Sequence, residues 1–200
     1  MGKLKKVVLG LVVATLAFAS SAYALEVPDV EVSGGAVVGV YDSANLKTQS
    51  GASVRVGFPL PQEGYTAELQ FVKTNADIDI LNTNIGTLGT TEFWATIAKK
   101  VDVFAPLGWS LSPKVFGGVG FISPDVDLNP SFINADADNT FGVTGGVELA
   151  WNVQQTEKYG FDVYGRYQLI LADTDVTVNN TVITQDLDSG RVEVGGRLSF

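Results

Sequence analysis

From about residue 30 to the C-terminus, the apolar residues of this chain recur at every second position. Alternating side chains point to opposite faces of an extended strand, so a period of two marks strands with two different surroundings. After residue 25 no long stretch keeps the 3.6-residue period of an amphipathic helix. The final ten residues show the pattern best. Val192, Val194, Gly196, Leu198 and Phe200 fall on one face, and Arg191, Glu193, Gly195, Arg197 and Ser199 on the other. The same alternation runs through 30–41, 53–58, 65–72, 92–98, 114–121, 141–152 and 161–171, which makes eight candidate strands. With their flanks they reach about 9–11 residues or slightly more, the length a tilted strand needs to cross a bilayer. An even number of antiparallel strands can close without leaving an edge.

The connections alternate in length. The segments 59–64, 99–110 and 154–160 are short; 42–50, 74–90, 122–139 and 172–189 are long. Short turns at one end and long loops at the other are the layout of barrels that span an outer membrane. Within the last long connection, 174–178 and 181–184 are rich in β-prone residues and Asn179-Asn180 suits a tight turn. This predicts a hairpin rising above the membrane.

Eight alternating strands also describe a soluble, lipocalin-like barrel with an apolar interior. The charged side chains weigh against that alternative. Arg55, Glu68, Glu92, Lys114, Glu148, Arg166, Arg191, Glu193 and Arg197 share one face of their strands, and the opposite faces are almost free of charge. In a narrow barrel the charged face is the lumen, where opposite signs can pair. Facing lipid, each such charge costs about 2–4 kcal/mol at mid-depth. Gly57, Gly118, Gly120, Gly142, Gly146 and Gly195 lie on the same face and leave room there, so the sequence alone leaves an open and a plugged lumen equally available. Aromatic residues gather near the strand ends. Phe58, Tyr65, Phe104, Trp109, Trp151, Tyr159, Phe161 and Phe200 belong to the short-turn side, and Tyr41, Phe71, Phe93, Phe121 and Phe141 to the long-loop side. Two belts at headgroup height are what amphipathic rings form at membrane interfaces.

Residues 1–24 have the form of a secretory signal peptide. Lys3, Lys5 and Lys6 make a positive start, 7–18 an apolar core, and Ala22-Tyr23-Ala24 a small-x-small cleavage pattern. Cleavage leaves 25–200 as one barrel domain. It removes three of the 13 basic residues and none of the 22 acidic ones, for a mature net charge of −12. So acidic a chain is a poor match for nucleic acid. The absence of Cys and His excludes thiolate and imidazole metal sites and every catalytic constellation built on either residue. No enzymatic activity and no cofactor are expected.

The glycine-rich strands at 116–120 and 194–197, together with a chain that ends in a strand at Phe200, resemble the small eight-stranded outer-membrane barrels. This is the porin-like group of the outer-membrane protein A barrel domain and the X and W proteins. The likeness covers the whole mature chain. It implies an all-β, antiparallel, up-and-down transmembrane barrel in a bacterial outer membrane, in contact with lipid and lipopolysaccharide. It implies further that Phe200 belongs to the signal read by the barrel-assembly machinery. Enzymes among such barrels use a catalytic His, which is missing here. The family's functions imply weak small-solute passage or an envelope-structural role, or else a closed barrel acting as an adhesin or a loop-mediated binding protein. A soluble periplasmic carrier remains the third alternative. The loop carboxylates Asp136, Asp138, Asp186 and Asp188 are weak candidates for a divalent cation, without EF-hand spacing. A simpler expectation is that acidic loops keep the surface wet or meet an extracellular ligand.

Overall fold

The computed structural model describes residues 30–42, 46–80, 83–101, 111–129, 135–156, 159–179 and 181–200. The segment read as a signal peptide lies outside them. The described residues form eleven strands: β1 (Glu31–Tyr41), β2 (Leu46–Pro59), β3 (Tyr65–Ile80), β4 (Thr83–Lys100), β5 (Leu111–Leu128), β6 (Ala135–Ala137), β7 (Thr140–Gln155), β8 (Gly160–Leu171), β9 (Asp173–Val178), β10 (Thr181–Asp186) and β11 (Ser189–Ser199). Eight of them close into an antiparallel barrel in the order β1-β11-β8-β7-β5-β4-β3-β2. The barrel is shut where β1 meets β11, with Glu31 opposite Ser199 at one end and Tyr41 opposite Ser189 at the other. The alternation therefore identified the eight wall strands and their closure. The remaining three form a second sheet, ordered β10-β9-β6, beyond the long-hairpin end.

The strands run further than the alternation predicts. β3 and β4 continue to Ile80 and from Thr83, and β5 continues to Leu128, so most of 74–90 and the first part of 122–139 are strand rather than loop. Ala76 and Leu88 face each other inside the ladder and are buried. The outward positions here are Lys73, Asn75, Asp77 and Asp125. Polar residues suit an outer face that meets water. Above a bilayer the outside no longer has to be apolar, and the sequence signal of a strand fades.

The predicted hairpin within 172–189 is present, and its pairing continues that of the wall. From Ser199↔Gly160 to Ser189↔Ile170, and again from Asp186↔Asp173 to Thr181↔Val178, the register is the same. Between the two ladders Leu187 N–H donates to Ala172 O at 2.8 Å. β8–β9 and β10–β11 are thus one long ribbon whose lower part is barrel wall. Its tip turns at Asn179, which takes a positive φ of 47°.

The barrel has its apolar side chains outside and its charges inside. Val38, Ile97, Val115, Val119, Val147, Leu169, Val192 and Val194 are exposed on the outer wall, while Arg55, Glu68, Glu148, Arg166 and Arg191 are buried. A water-soluble barrel is built the other way round. An apolar outer band around a polar interior is the arrangement that suits a bilayer. On this wall Phe71 packs at a tilt against Phe93 with ring centroids 5.0 Å apart, and Phe121 packs edge-on against Phe141 at 5.5 Å. Both pairs lie toward the long-hairpin end, as expected of an aromatic belt. Tyr41 is the exception. It is in phase with the inward Val37 and Gly39, and its ring is buried inside the barrel rather than placed in the belt. Phe104 and Trp109 lie outside the described residues.

Candidate functional site

The barrel interior holds all nine of the charged residues singled out from the sequence. Each is 1–6% exposed. The register sets opposite charges side by side: Lys114 faces Glu148 across β5–β7, Glu148 faces Arg166 across β7–β8, and Arg166 faces Glu193 across β8–β11. Opposite charges in directly facing positions stabilise a sheet.

Glu148 is the hub. Its carboxylate is 2.7 Å from both Arg55 and Arg197 and 3.4 Å from Arg166. Arg166 also pairs with Glu68 at 2.7 Å, where Thr96 donates at 3.1 Å. Toward the short-turn end Arg197 grips Asp162 through Nε at 3.0 Å and Nη2 at 2.5 Å, and Lys114 meets Glu31 at 2.8 Å. Toward the other end Arg191 pairs with Glu92 at 2.7 Å and donates twice to Gln168. Glu193 lies between these groups and accepts from Tyr164 and from Gln70. Buried charges are tolerable only when paired and hydrogen-bonded. Here the acids and bases of different strands pair with one another across the lumen.

Asp162 and Glu31 belong to this network although the sequence reading of the lumen omits them. Both are in phase with the inward faces of β8 and β1, so strand phase was the signal that could have found them. Their positions near strand ends made them look solvated.

At Gly120, Gly142 and Gly146 aromatic rings come up against the missing side chain, whereas Gly118 and Gly195 meet the backbone of the neighbouring strand and Gly57 meets Thr66 and Glu31. A Cβ on Gly120 would run into the Trp94 ring, and one on Gly142 would lie 3.2 Å from it. Trp94 is buried there and its indole N–H donates to Glu92 at 2.6 Å. A Cβ on Gly146 would lie 2.8 Å from the tip of Phe116. The Arg166 guanidinium is 3.4 Å from the Phe116 ring centroid. Its Nε and Nη2 make no hydrogen bond, and the aromatic face covers the cation instead.

Beyond Trp94 the interior is mixed: the Arg191–Glu92 pair and the buried Gln49, Thr74 and Thr90 adjoin an apolar cluster. Val37, Tyr41, Leu46, Val72, Ala76, Leu88, Ile122, Ile170, Ala172 and Leu187 form one buried cluster. Leu187, from the short link between β10 and β11, is 2% exposed and closes this cluster at the long-hairpin end. From the short-turn end to the long-hairpin end the described lumen therefore passes from a charged network, past Trp94 and the Arg191–Glu92 pair, to a region where buried Gln49, Thr74 and Thr90 sit among apolar side chains.

The four carboxylates considered for a cation lie around the small sheet. Asp136 is on β6, Asp186 ends β10, and Asp138 and Asp188 stand in the adjoining links. Asp186 Oδ1 accepts from Asp188 N–H at 2.6 Å, and Asp188 Oδ1 from Ala172 N–H at 2.9 Å. Asp138 N–H donates to Asp175 O, tying the chain after β6 to β9. Among the described residues no three acidic side chains converge on a point that would hold a metal ion. Phe200 has an exposed ring, and its N–H donates to Val30 O at 3.1 Å, so the last residue still belongs to the wall.

No known protein-family profile and no curated protein sequence matches the chain. Solved structures do. The outer membrane protein OprG from Pseudomonas aeruginosa aligns with a TM-score of 0.67 at 13% identity, over 86% of this chain and 96% of that one. Ail, the attachment invasion locus protein of Yersinia pestis, aligns at 0.53 and 11% identity, over 86% and 99%. Neisserial surface protein A aligns at 0.52 and 16% identity, over 86% and 96%. What is shared at such identities is the path of the backbone: the chain has the fold of the small eight-stranded outer-membrane barrels.

Proposed function

We propose that this protein is a closed outer-membrane barrel that works at its extracellular surface and does not conduct solutes. The side chains that fill the lumen carry this reading. A pore needs an open, continuous polar path, whereas here the charges are paired by contact, Trp94 fills the space at Gly120, and an apolar cluster ending at the buried Leu187 covers the long-hairpin end. Weak small-solute passage and an envelope-structural role are the competing assignments. The surface offers more to a binding function. Among the described residues β10 pairs only with β9, and Val182 and Ile183 on it are 61% and 53% exposed. An open strand edge is a place where another chain can add. No enzymatic role is proposed, because the buried acids are all engaged in pairing.

The remainder of the reading concerns the route and the setting. Residues 1–24 direct export and are cleaved. The barrel-assembly machinery reads the last strand with Phe200, and lipid and lipopolysaccharide surround the outer wall.

Conductance decides between the readings. The chain from Leu25 onward, refolded in detergent and checked by β-type circular dichroism and a heat-dependent gel shift, is expected to give no discrete steps in a planar bilayer. Steps that change in size when Arg166 or Glu148 is neutralised would establish solute passage and overturn the closed-barrel assignment.

A further inference from the structure

The β9–β10 hairpin leaves one side of its ladder open, and hydrogen-bond phase shows which groups are on that side. Leu187 N–H donates to Ala172 O, toward β8 and β9, whereas Asp188 O accepts from Asp42 N–H, toward β1. Backbone groups of successive strand residues point to alternate sides. Thr181, Ile183 and Gln185 therefore bond to β9, and the N–H and C=O groups of Val182, Thr184 and Asp186 point the other way. β1 ends at Tyr41, opposite Ser189, and the chain is back in β2 at Leu46. Among the described residues no strand climbs beside β10, and β9 is its one neighbour. Asp186 O accepts from the Gln185 side chain at 2.9 Å. The outward groups of Val182 and Thr184 face no described strand.

The two faces of the small sheet differ in chemistry. Directly paired residues share a face. Asp136, Thr177 and Val182 are in line across the sheet, as are Asp175 with Thr184 and Asp173 with Asp186. Asp136, Asp173, Asp175 and Asp186 thus lie on one face, and all are exposed. On the other face Ala135 is in line with Val178 and Thr181, and Ala137 with Val176 and Ile183. No Lys or Arg occurs in 135–140 or 167–190, so the sheet contains no base to balance its acids. A strand added to β10 would continue both faces. Its residues opposite Val182, Thr184 and Asp186 would exchange the hydrogen bonds and set their side chains beside the carboxylates. The residues between them would lie beside Ile183.

We infer that β10 captures an extended cationic segment of another protein, one in which Lys or Arg alternates with apolar residues. The open edge supplies main-chain hydrogen bonds, which hold any extended chain. The acidic face selects the charge of every second side chain, because opposite charges on neighbouring strands attract and like charges repel. The apolar face takes the side chains between. A second copy of this chain is a poor occupant: joining β10 to β10 would extend the acidic face with more carboxylates and no base. The inference rests on the surface-binding assignment and names the partner that the edge fits.

Peptide binding to the detergent-refolded barrel tests it, with three short probes: alternating lysine and valine, alternating glutamate and valine, and the lysine–valine peptide N-methylated at its lysines. Only the first is expected to bind. Amide exchange at Val182 and Thr184 should then slow, because their N–H groups gain acceptors, while Ile183 keeps its rate. Thr184→Pro removes an N–H from the open edge and none from the ladder to β9, so it should abolish binding in a barrel whose gel shift is normal. Asp175→Asn combined with Asp186→Asn should weaken binding about fivefold. Equal binding of the N-methylated peptide, or unchanged exchange at Val182 and Thr184, would mean non-specific charge attraction and overturn the site. Equal binding of the glutamate peptide would overturn the selection by charge. Self-association of the barrel that Thr184→Pro abolishes would make a second copy the occupant and overturn the cationic segment. A barrel that binds none of the peptides and conducts nothing would overturn this inference alone, whereas conductance steps would overturn the closed-barrel assignment whatever the peptides do.

Discussion

Glu148 carries more of the interior than any other single side chain, because Arg55, Arg166 and Arg197 all converge on it. The amide of Glu148→Gln keeps its shape and removes its charge, leaving three buried guanidinium groups with too little negative charge among them. Removing one partner of a buried ion pair costs about 3–5 kcal/mol. The urea midpoint of the barrel in lipid vesicles should fall accordingly, with an unchanged slope. A loss below about 1 kcal/mol, the value of a solvated pair, would mean that the lumen is wet and the pairing weak. The charge of this site was legible in the sequence, since strand phase alone puts Arg55, Glu148, Arg166 and Arg197 on one face. Who pairs with whom was not. Arg197 reaches Glu148 across 49 residues and Arg166 reaches Glu68 across 98, and such contacts depend on strand order and stagger. The fate of the glycines was hidden for the same reason. Gly120 looks like empty space until the register sets Trp94 beside it.

The β9–β10 hairpin stands on the barrel as the upper part of a continuous ribbon, and its turn rests on one backbone conformation. Asn179 has a φ of 47°, the left-handed region that Asn and Gly enter readily and β-branched residues do not. Asn179→Val should therefore cost about 1–2 kcal/mol, felt only in the hairpin. Amide exchange should quicken across 173–178 and 181–186 and stay unchanged in β8 and β11, while Asn179→Gly should leave both untouched. If exchange quickened through β8 and β11 as well, hairpin and wall would be a single cooperative unit. This hairpin was readable in advance because β-prone residues flank an Asn-Asn pair. The upward extensions of β3, β4 and β5 were not. In the wall, lipid outside and charge inside impose opposite chemistry on alternate residues. Above the membrane water wets the outer face, and Asn75, Asp77 and Asp125 look like loop although they are paired strand residues.

The molecule as a whole is organised by what lies outside each part of it, and two residues of equal exposure make this testable. Val147 and Ile183 are both 53% exposed. Val147 lies on β7 between the outward aromatic residues Phe141 and Trp151, at the middle of the apolar band. Ile183 lies on β10, beyond the wall. In water the two positions would tolerate a charge equally well. In a bilayer they differ, because an arginine at mid-depth on the lipid face costs about 2–4 kcal/mol and one outside the membrane costs almost nothing. Val147→Arg should therefore lower the stability of the barrel in lipid vesicles by about that amount, or prevent insertion. Ile183→Arg should leave stability unchanged. The lumen adds a third environment. Arg166, at nearly the same height as Val147 but facing inward, is held by Glu68 and Glu148, so a cation that is excluded on one side of the wall is required on the other. Equal responses of Val147→Arg and Ile183→Arg would show that both meet the same solvent, and would remove the ground for placing this barrel in a membrane.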